Sequence, residues 1–310
     1  RLFKVTSIQQ MAFYQDTTLI SVTLPANISN IERLAFGSCP NLNTIYWNAK
    51  NVTNYTSGNY HPFYNCMAIR NVIFGDSVRI PDHAFENTYI NSVIIANTTT
   101  YIGNYAFANS SSIMAITLPE GIEHIGHHAF ENTGLSSLRI PGYVTTIDSC
   151  AFYECGKLVT VAIDNATCSI GEAAFMGCSS LKSIDLGNSI TAINKSAFAL
   201  CTALEAIVIP NSVSNIGNFA FSHCDTLTSA TFGNSLISIG DYAFSNCRNL
   251  TKIVIPNSTL TIGNWAFGYC DMLDSAVVGI SVKSIGDGAF GECNMLDSVV
   301  LLGHSLKHIG

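Results

Sequence analysis

The chain has 310 residues, a formal charge of −7 and only 11% charged side chains. Its 14 Lys and Arg are scattered, so the basic footprint of a nucleic-acid binder is missing and acidic phosphate surfaces are not expected as partners. Although 48% of residues are hydrophobic, Asn, Ser, Thr or Gly breaks every stretch short of the roughly 20 apolar residues of a membrane helix, so no membrane insertion by this segment is expected.

From the N-terminus, phenylalanine recurs almost periodically: Phe13, Phe36, Phe63, Phe85, Phe107, Phe130, Phe152, Phe175, Phe198, Phe221, Phe244, Phe267 and Phe290. Eight of the twelve intervals are 23 residues, three are 22, and the one from Phe36 to Phe63 is 27. A repeat of this length carried from end to end is the signature of a solenoid. Residues 1–310 are therefore expected to form a single solenoid of about 13 repeats. The chain opens partway through a unit and stops at His308-Ile309-Gly310, where the next Ala-Phe pair is due. Neither end offers a capping unit, so both ends read as truncated.

Each unit reads the same way in chain order. A short run such as Ser183-Ile184-Asp185-Leu186 alternates outward and inward with period two, and predicts one strand per unit. Pro25, Pro119, Pro141, Pro210 and Pro256 follow these runs and end them, because proline lacks the amide hydrogen that pairing uses. Isoleucine five residues before each Phe except Phe63 adds an inward position. Glycine four residues before Phe is expected to supply a positive φ, and Asn or Asp three before it (Asn104, Asn218, Asp241, Asn264, Asp287) to cap a helical turn. That turn would carry Phe and, three residues later, Cys on one inward face. Stacking such units predicts an α/β repeat solenoid. Its expected shape is a horseshoe with one parallel β-sheet on the concave face and short helical or 3₁₀ turns on the convex face.

Nine of the eleven cysteines share the position after Phe where other units place Asp16, Thr88, Ser110 and Thr133. A slot that accepts all of these wants a small side chain, so buried thiols are expected in preference to zinc ligands, which come in pairs a few residues apart. Disulfides between units require Cα atoms below roughly 7 Å, and the helical side is expected to be too wide. Cys150 and Cys168 lie off this column. His124, His127 and His128 beside Glu123 form the one grouping with metal-like spacing, but equivalent places elsewhere hold Asn, Asp, Ser, Tyr and Trp, so solvated turn residues are the better reading. No Gly-x-Ser-x-Gly elbow and no phosphate-binding loop appears, and no catalytic, cofactor or metal residues are assigned.

The phrase Leu-x-x-Ile-x-Ile-Pro-x-Ser-Val-x-x-Ile-Gly-x-x-Ala-Phe-x-x-Cys, closest to type in Ser183 to Cys201, Ala206 to Cys224 and Lys252 to Cys270, resembles the BspA-type leucine-rich repeat. The resemblance covers essentially the whole chain. It implies a leucine-rich-repeat fold and a surface-exposed or secreted protein of the adhesin kind, with no catalytic motif to carry over. Departures fall in the early units, where Pro62 replaces Ala, Trp47 replaces a strand Ile or Leu, and four extra residues lie between Asn48 and Tyr60.

The outward strand positions are the expected contact surface. In chain order they pair as Ser21/Thr23, Thr44/Tyr46, Asn71/Ile73, Ser92/Ile94, Ala115/Thr117, Ser137/Arg139, Thr160/Ala162, Ser183/Asp185, Ala206/Val208, Ser229/Thr231, Lys252/Val254, Ser275/Val277 and Ser298/Val300. The first row is small and polar, the second largely β-branched and uncharged. Such a face suits weak, multivalent adhesion, although Val and Thr are also simply good strand formers. A second candidate is the inserted loop with Tyr55 and Tyr60. Nine Asn-x-Ser/Thr sequons, at Asn27, Asn51, Asn54, Asn97, Asn109, Asn165, Asn194, Asn249 and Asn257, exceed the about five that 28 Asn and 57 Ser plus Thr predict by chance, which favours a secretory route. Three readings follow: a cell-surface or secreted recognition module for a protein or cell-surface ligand, an intracellular or self-assembling scaffold, and an enzyme whose catalytic domain lies elsewhere.

Overall fold

The computed structural model describes residues 5–52 and 61–310. Tyr55 and Tyr60 lie outside the described residues. The repeated phenylalanines pile into one column: all twelve consecutive pairs from Phe13 to Phe290 are stacked face to face, with ring centroids 4.9 to 6.4 Å apart. From Phe63 to Phe267 these rings are almost completely buried. No unit can enclose its own ring, so burial comes only from the units above and below.

Two rows of parallel strands flank this column, where the sequence predicts one. The first row contains the expected runs, for example Ser21–Leu24, Thr44–Trp47, Asn71–Phe74 and Ser92–Ile95, paired side by side in register. The second is formed by the isoleucines five residues before Phe. It pairs without a gap from Ile80 through Ile102, Ile125, Ile147, Ile170, Ile193, Ile216, Ile239, Ile262 and Ile285 to Ile309. Each of these strands is two residues long or shorter, too brief for an alternation pattern to show.

Among the described residues the first row falls into groups of four, three and five strands, and residues 115–118 form no strand at all. Trp47 and Phe74, on consecutive rungs, fill inward positions that elsewhere, Phe232 apart, hold Ile, Leu or Val, and their rings crowd Phe85 at 5.8 and 5.9 Å. The Phe column opens there, to 5.9 Å between Phe63 and Phe85 and 6.4 Å between Phe85 and Phe107. The strands that carry the two rings nonetheless stay paired, with Leu24, Trp47, Phe74 and Ile95 in register, and pairing is lost only beyond Ile95. Beside Phe232 the column stays closed, Phe221 and Phe244 lying 4.9 Å apart.

The expected helical or 3₁₀ segments are not formed among the described residues. In the turn of Phe130, Ala129, Glu131 and Thr133 bond back three residues, while the alternate amides of His128, Phe130 and Asn132 donate forward to Ser149, Ala151 and Tyr153 of the next unit. A helix would keep all of these bonds within one unit. Left-handed residues two before and two after Phe, such as His128 (φ 53°) and Asn132 (φ 50°), reorient the alternate peptides and make the inter-unit bonds possible. The turn side is thus hydrogen-bonded from rung to rung, as a strand row is, and is not the wide side that a helix would have made.

Two further expectations are corrected. The glycines four before Phe do not take the left-handed conformation; a Cβ on Gly263 would meet the Asp241 amide nitrogen of the preceding unit at 2.5 Å. Glycine is required there by the close approach of two backbones. Nor does the Asn or Asp that follows it cap its own turn. Asn218 Oδ1 accepts the Asp241 amide at 2.9 Å, Asp241 Oδ1 the Asn264 amide at 2.7 Å, and Asn264 Oδ1 the Asp287 amide at 2.8 Å, so each side chain caps the next rung.

The cysteine slot likewise selects for more than size. All nine thiols of the column donate to the carbonyl of the preceding unit's Phe, at 2.9 to 3.4 Å. Ser110 makes the same bond to Phe85 at 2.8 Å, and Thr88 and Thr133 bond the Phe carbonyl of their own turn. Every unit after the first places a small donor here. All eleven cysteines are free thiols, and burial pushes Cys66 and Cys201 up to about 12 and Cys155 and Cys168 up to about 11.

Candidate recognition surface

The strands that present outward residues are held by backbone ladders and by inward Ile, Leu and Val, so their outer side chains stand on a rigid base. Register then decides which outer residues become neighbours. Thr23, Tyr46, Ile73 and Ile94 lie directly opposite one another across four strands. Tyr46 and Ile94 are exposed. Thr44 and Asn71 are drawn into an amide network instead, both donating to Asn43 Oδ1 at 3.0 Å.

Further along, the surface changes character. Thr117 is exposed but sits in the stretch that forms no strand. Arg139 pairs with Ala162, and Ala162 with Asp185. The Arg139 guanidinium donates to Glu120 Oε1 at 2.6 Å and also to Asp164, and its hydrogen bond holds the Glu120 carboxyl below the usual carboxylate range. Asp185 turns back on its own chain, accepting the Gly187 amide at 2.9 Å.

Beyond this polar centre a second apolar stripe begins. Val208 pairs with Thr231, Val254 with Val277, and Val277 with Val300. Val208 is 64% exposed, Val254 51% and Val300 47%. Lys252 stands beside the stripe, between Ser229 and Ser275. The face therefore reads, from N to C, as an aromatic and aliphatic stripe, an ionic centre and an aliphatic stripe. The sequence identifies these residues but not their grouping, because the polar centre depends on Glu120 and Asp164, which lie outside the strands.

The structure also brings together residues that periodicity alone leaves unrelated. On the opposite side of the second strand row, Arg79 lies over the Tyr101 ring at 3.9 Å and Tyr101 stacks on His124 at 4.6 Å. On the same three rungs His83, Tyr105 and His128 stack at 4.9 and 4.6 Å, with His83 and His128 each 2.8 Å from a glutamate, Glu86 and Glu131. The signal was present as rings recurring at matching places in successive units. Asp148 approaches His124 and His127 at 3.4 and 3.8 Å, and burial lowers the His124 pKa. Among the described residues no three His, Cys, Asp or Glu side chains are grouped to hold a metal, and no helix is long and apolar enough to cross a membrane.

The sequence profile described as the BspA type leucine rich repeat region matches residues 3–114, 78–205 and 191–310. The chain belongs to this family. Solved structures share its fold. A leucine-rich repeat protein from Eubacterium ventriosum is 20% identical over 87% of this chain and 82% of its own, with a TM-score of 0.54. The pneumococcal vaccine antigen PcpA is 18% identical over 99% and 80%, with a TM-score of 0.51. A leucine-rich cell surface protein from Faecalibacterium prausnitzii is 23% identical over 97% and 84%, with a TM-score of 0.50. No curated protein matches the chain significantly.

Proposed function

We propose that this BspA-type repeat is an extracellular recognition module, displayed on a cell surface or secreted, that adheres to matrix protein or to other cells through its strand face. The observation that carries the reading is the pair of exposed apolar stripes held in register on a rigid sheet, interrupted by the Glu120, Arg139 and Asp164 centre. Family membership supports it, as does the similarity to a protein described as a cell surface protein. The stripes carry no Trp, and Tyr46 is their one Tyr, so individual contacts are weak and binding strength comes from repetition along the face and from many copies on one surface.

The test combines surface labelling of intact cells with binding of the purified chain to immobilised matrix proteins and to partner cells. The variant Val208→Lys/Val254→Lys/Val300→Lys, which alters only outward strand positions, keeps the unfolding transition of the parent and loses at least tenfold in binding. Unchanged binding by this variant refutes the face as the contact. Sedimentation over a range of concentrations separates the scaffold reading, which requires assembly that the same substitutions abolish.

A further inference from the structure

The extracellular reading has a covalent consequence written in the asparagines. Eight sequon asparagines fall among the described residues, and seven of them are exposed; only Asn27 is half-buried. Exposure alone distinguishes little in a chain whose asparagines are mostly on turns. Side-chain bonding distinguishes more. Of the eighteen other described asparagines, ten donate a hydrogen bond through Nδ2 to a neighbouring group, as Asn41 does to Thr17 O at 2.7 Å. Of the eight in sequons, only Asn27 does, to Val5 O. Asn109 and Asn257 are held through Oδ1, which accepts from Asn132 Nδ2 at 3.1 Å and the Ile280 amide at 3.1 Å, and their Nδ2 groups donate no hydrogen bond.

Placement points the same way. Asn97 and Asn257 sit on the turns after the strands, Asn165 at a bend, Asn109 and Asn249 on turns around the Phe column, and Asn194 between a short strand and its turn. None lies at an outward strand position, so a bulky group on any of them projects away from the proposed contact face.

We infer that six of these exposed asparagines, Asn97, Asn109, Asn165, Asn194, Asn249 and Asn257, are N-glycosylated, and that the glycans cover the turns and loops while leaving the strand face as the bare protein surface. The inference rests on the extracellular reading, since the donor is met on the secretory route. In the transfer, Asn Nδ2 attacks the anomeric carbon of a lipid-pyrophosphate-linked oligosaccharide. The C–N bond forms, the anomeric C–O bond breaks, the lipid pyrophosphate leaves with the electron pair, and one Nδ2 proton passes to base. The sequon Ser or Thr and a free Nδ2 are the features this chemistry requires.

The chain is purified from its own cells, and in parallel from cultured eukaryotic cells that secrete it behind a leader. Each preparation is treated with peptide-N-glycosidase in heavy-oxygen water and mapped by mass spectrometry. Glycan release with Asn-to-Asp conversion at Asn97, Asn109, Asn165, Asn194, Asn249 and Asn257, and little at Asn27, is expected from both. Occupancy at Asn27 equal to the others overturns the structural criterion. A native chain that is surface-labelled yet unglycosylated overturns the inference and leaves the extracellular reading standing, whereas an unlabelled, unglycosylated chain overturns both. The variants Thr99→Ala and Thr259→Ala remove only the sequons of Asn97 and Asn257; both hydroxyls are buried, so Asn97→Gln and Asn257→Gln serve as the paired variants if folding suffers. Loss of one glycan mass at each, with adhesion within twofold of the parent, is expected; loss of adhesion overturns the claim that the strand face works bare.

Discussion

Cys247 separates hydrogen bonding from packing in the turn column. Its thiol donates to Phe221 O at 3.2 Å and the residue is wholly enclosed. Cys247→Ser keeps a donor of the kind Ser110 already supplies at 2.8 Å, and is expected to stay within about 1 kcal/mol of the parent. Cys247→Ala loses that bond, about 1 kcal/mol net, and leaves a sulfur-sized void worth about 1 kcal/mol more. Cys247→Val loses the bond and forces a branched side chain into a closed slot, for a total of roughly 3 kcal/mol. The stability order is therefore Cys, Ser, Ala, Val. A slot that sorted only by size and apolarity would place Ala above Ser. Urea unfolding under reducing conditions measures the order, and amide exchange locates it, because in a stack of units the loss is confined to the neighbours of Phe221, Phe244 and Phe267. An alanine variant as stable as the serine variant refutes the donor argument.

The buried thiols also set an alkaline limit. Their folded pKa values of about 11 to 12 lie above the ordinary 9, so the stability they confer is complete below pH 9 and is lost as pH rises from about 9 towards 12; circular dichroism against pH should show it, and Cys201→Ser should shallow the slope. His61 sets an acid one: burial lowers it to about 4, against the opposing pull of Glu86 and with a push from His83, so its contribution is complete above pH 6.5 and is lost as pH falls towards 4. That shift is worth roughly 3 kcal/mol, and His61→Gln should flatten the acid limb of a stability profile. Gly263→Ala, whose Cβ would lie 2.5 Å from the Asp241 nitrogen, is expected to cost about 1–3 kcal/mol, while Gly142→Ala, with nothing nearer than 3.8 Å, is expected to be nearly neutral in the same melt.

The architecture was written in the chain because a solenoid repeats its physics as it repeats its letters. Phe175 meets the same neighbours as Phe198, so a spacing in sequence becomes a spacing in space, and the outward strand residues could be named by counting. Trp47, read as a departure from the repeat, shows why counting has a limit: its ring is buried beside Phe74, and the Phe column is widest next to the pair. What the tertiary structure alone decided were the relations between rungs. The second strand row, the forward-pointing turn amides and the Asn and Asp that cap the next unit are all bonds between residues about 23 positions apart, and a local pattern carries no record of them. The same holds for the contact face, where Arg139 meets Glu120 and Asp164 only because adjacent units bring their loops together. Local alternation sets which side chains point outward; stacking sets which of them share a surface.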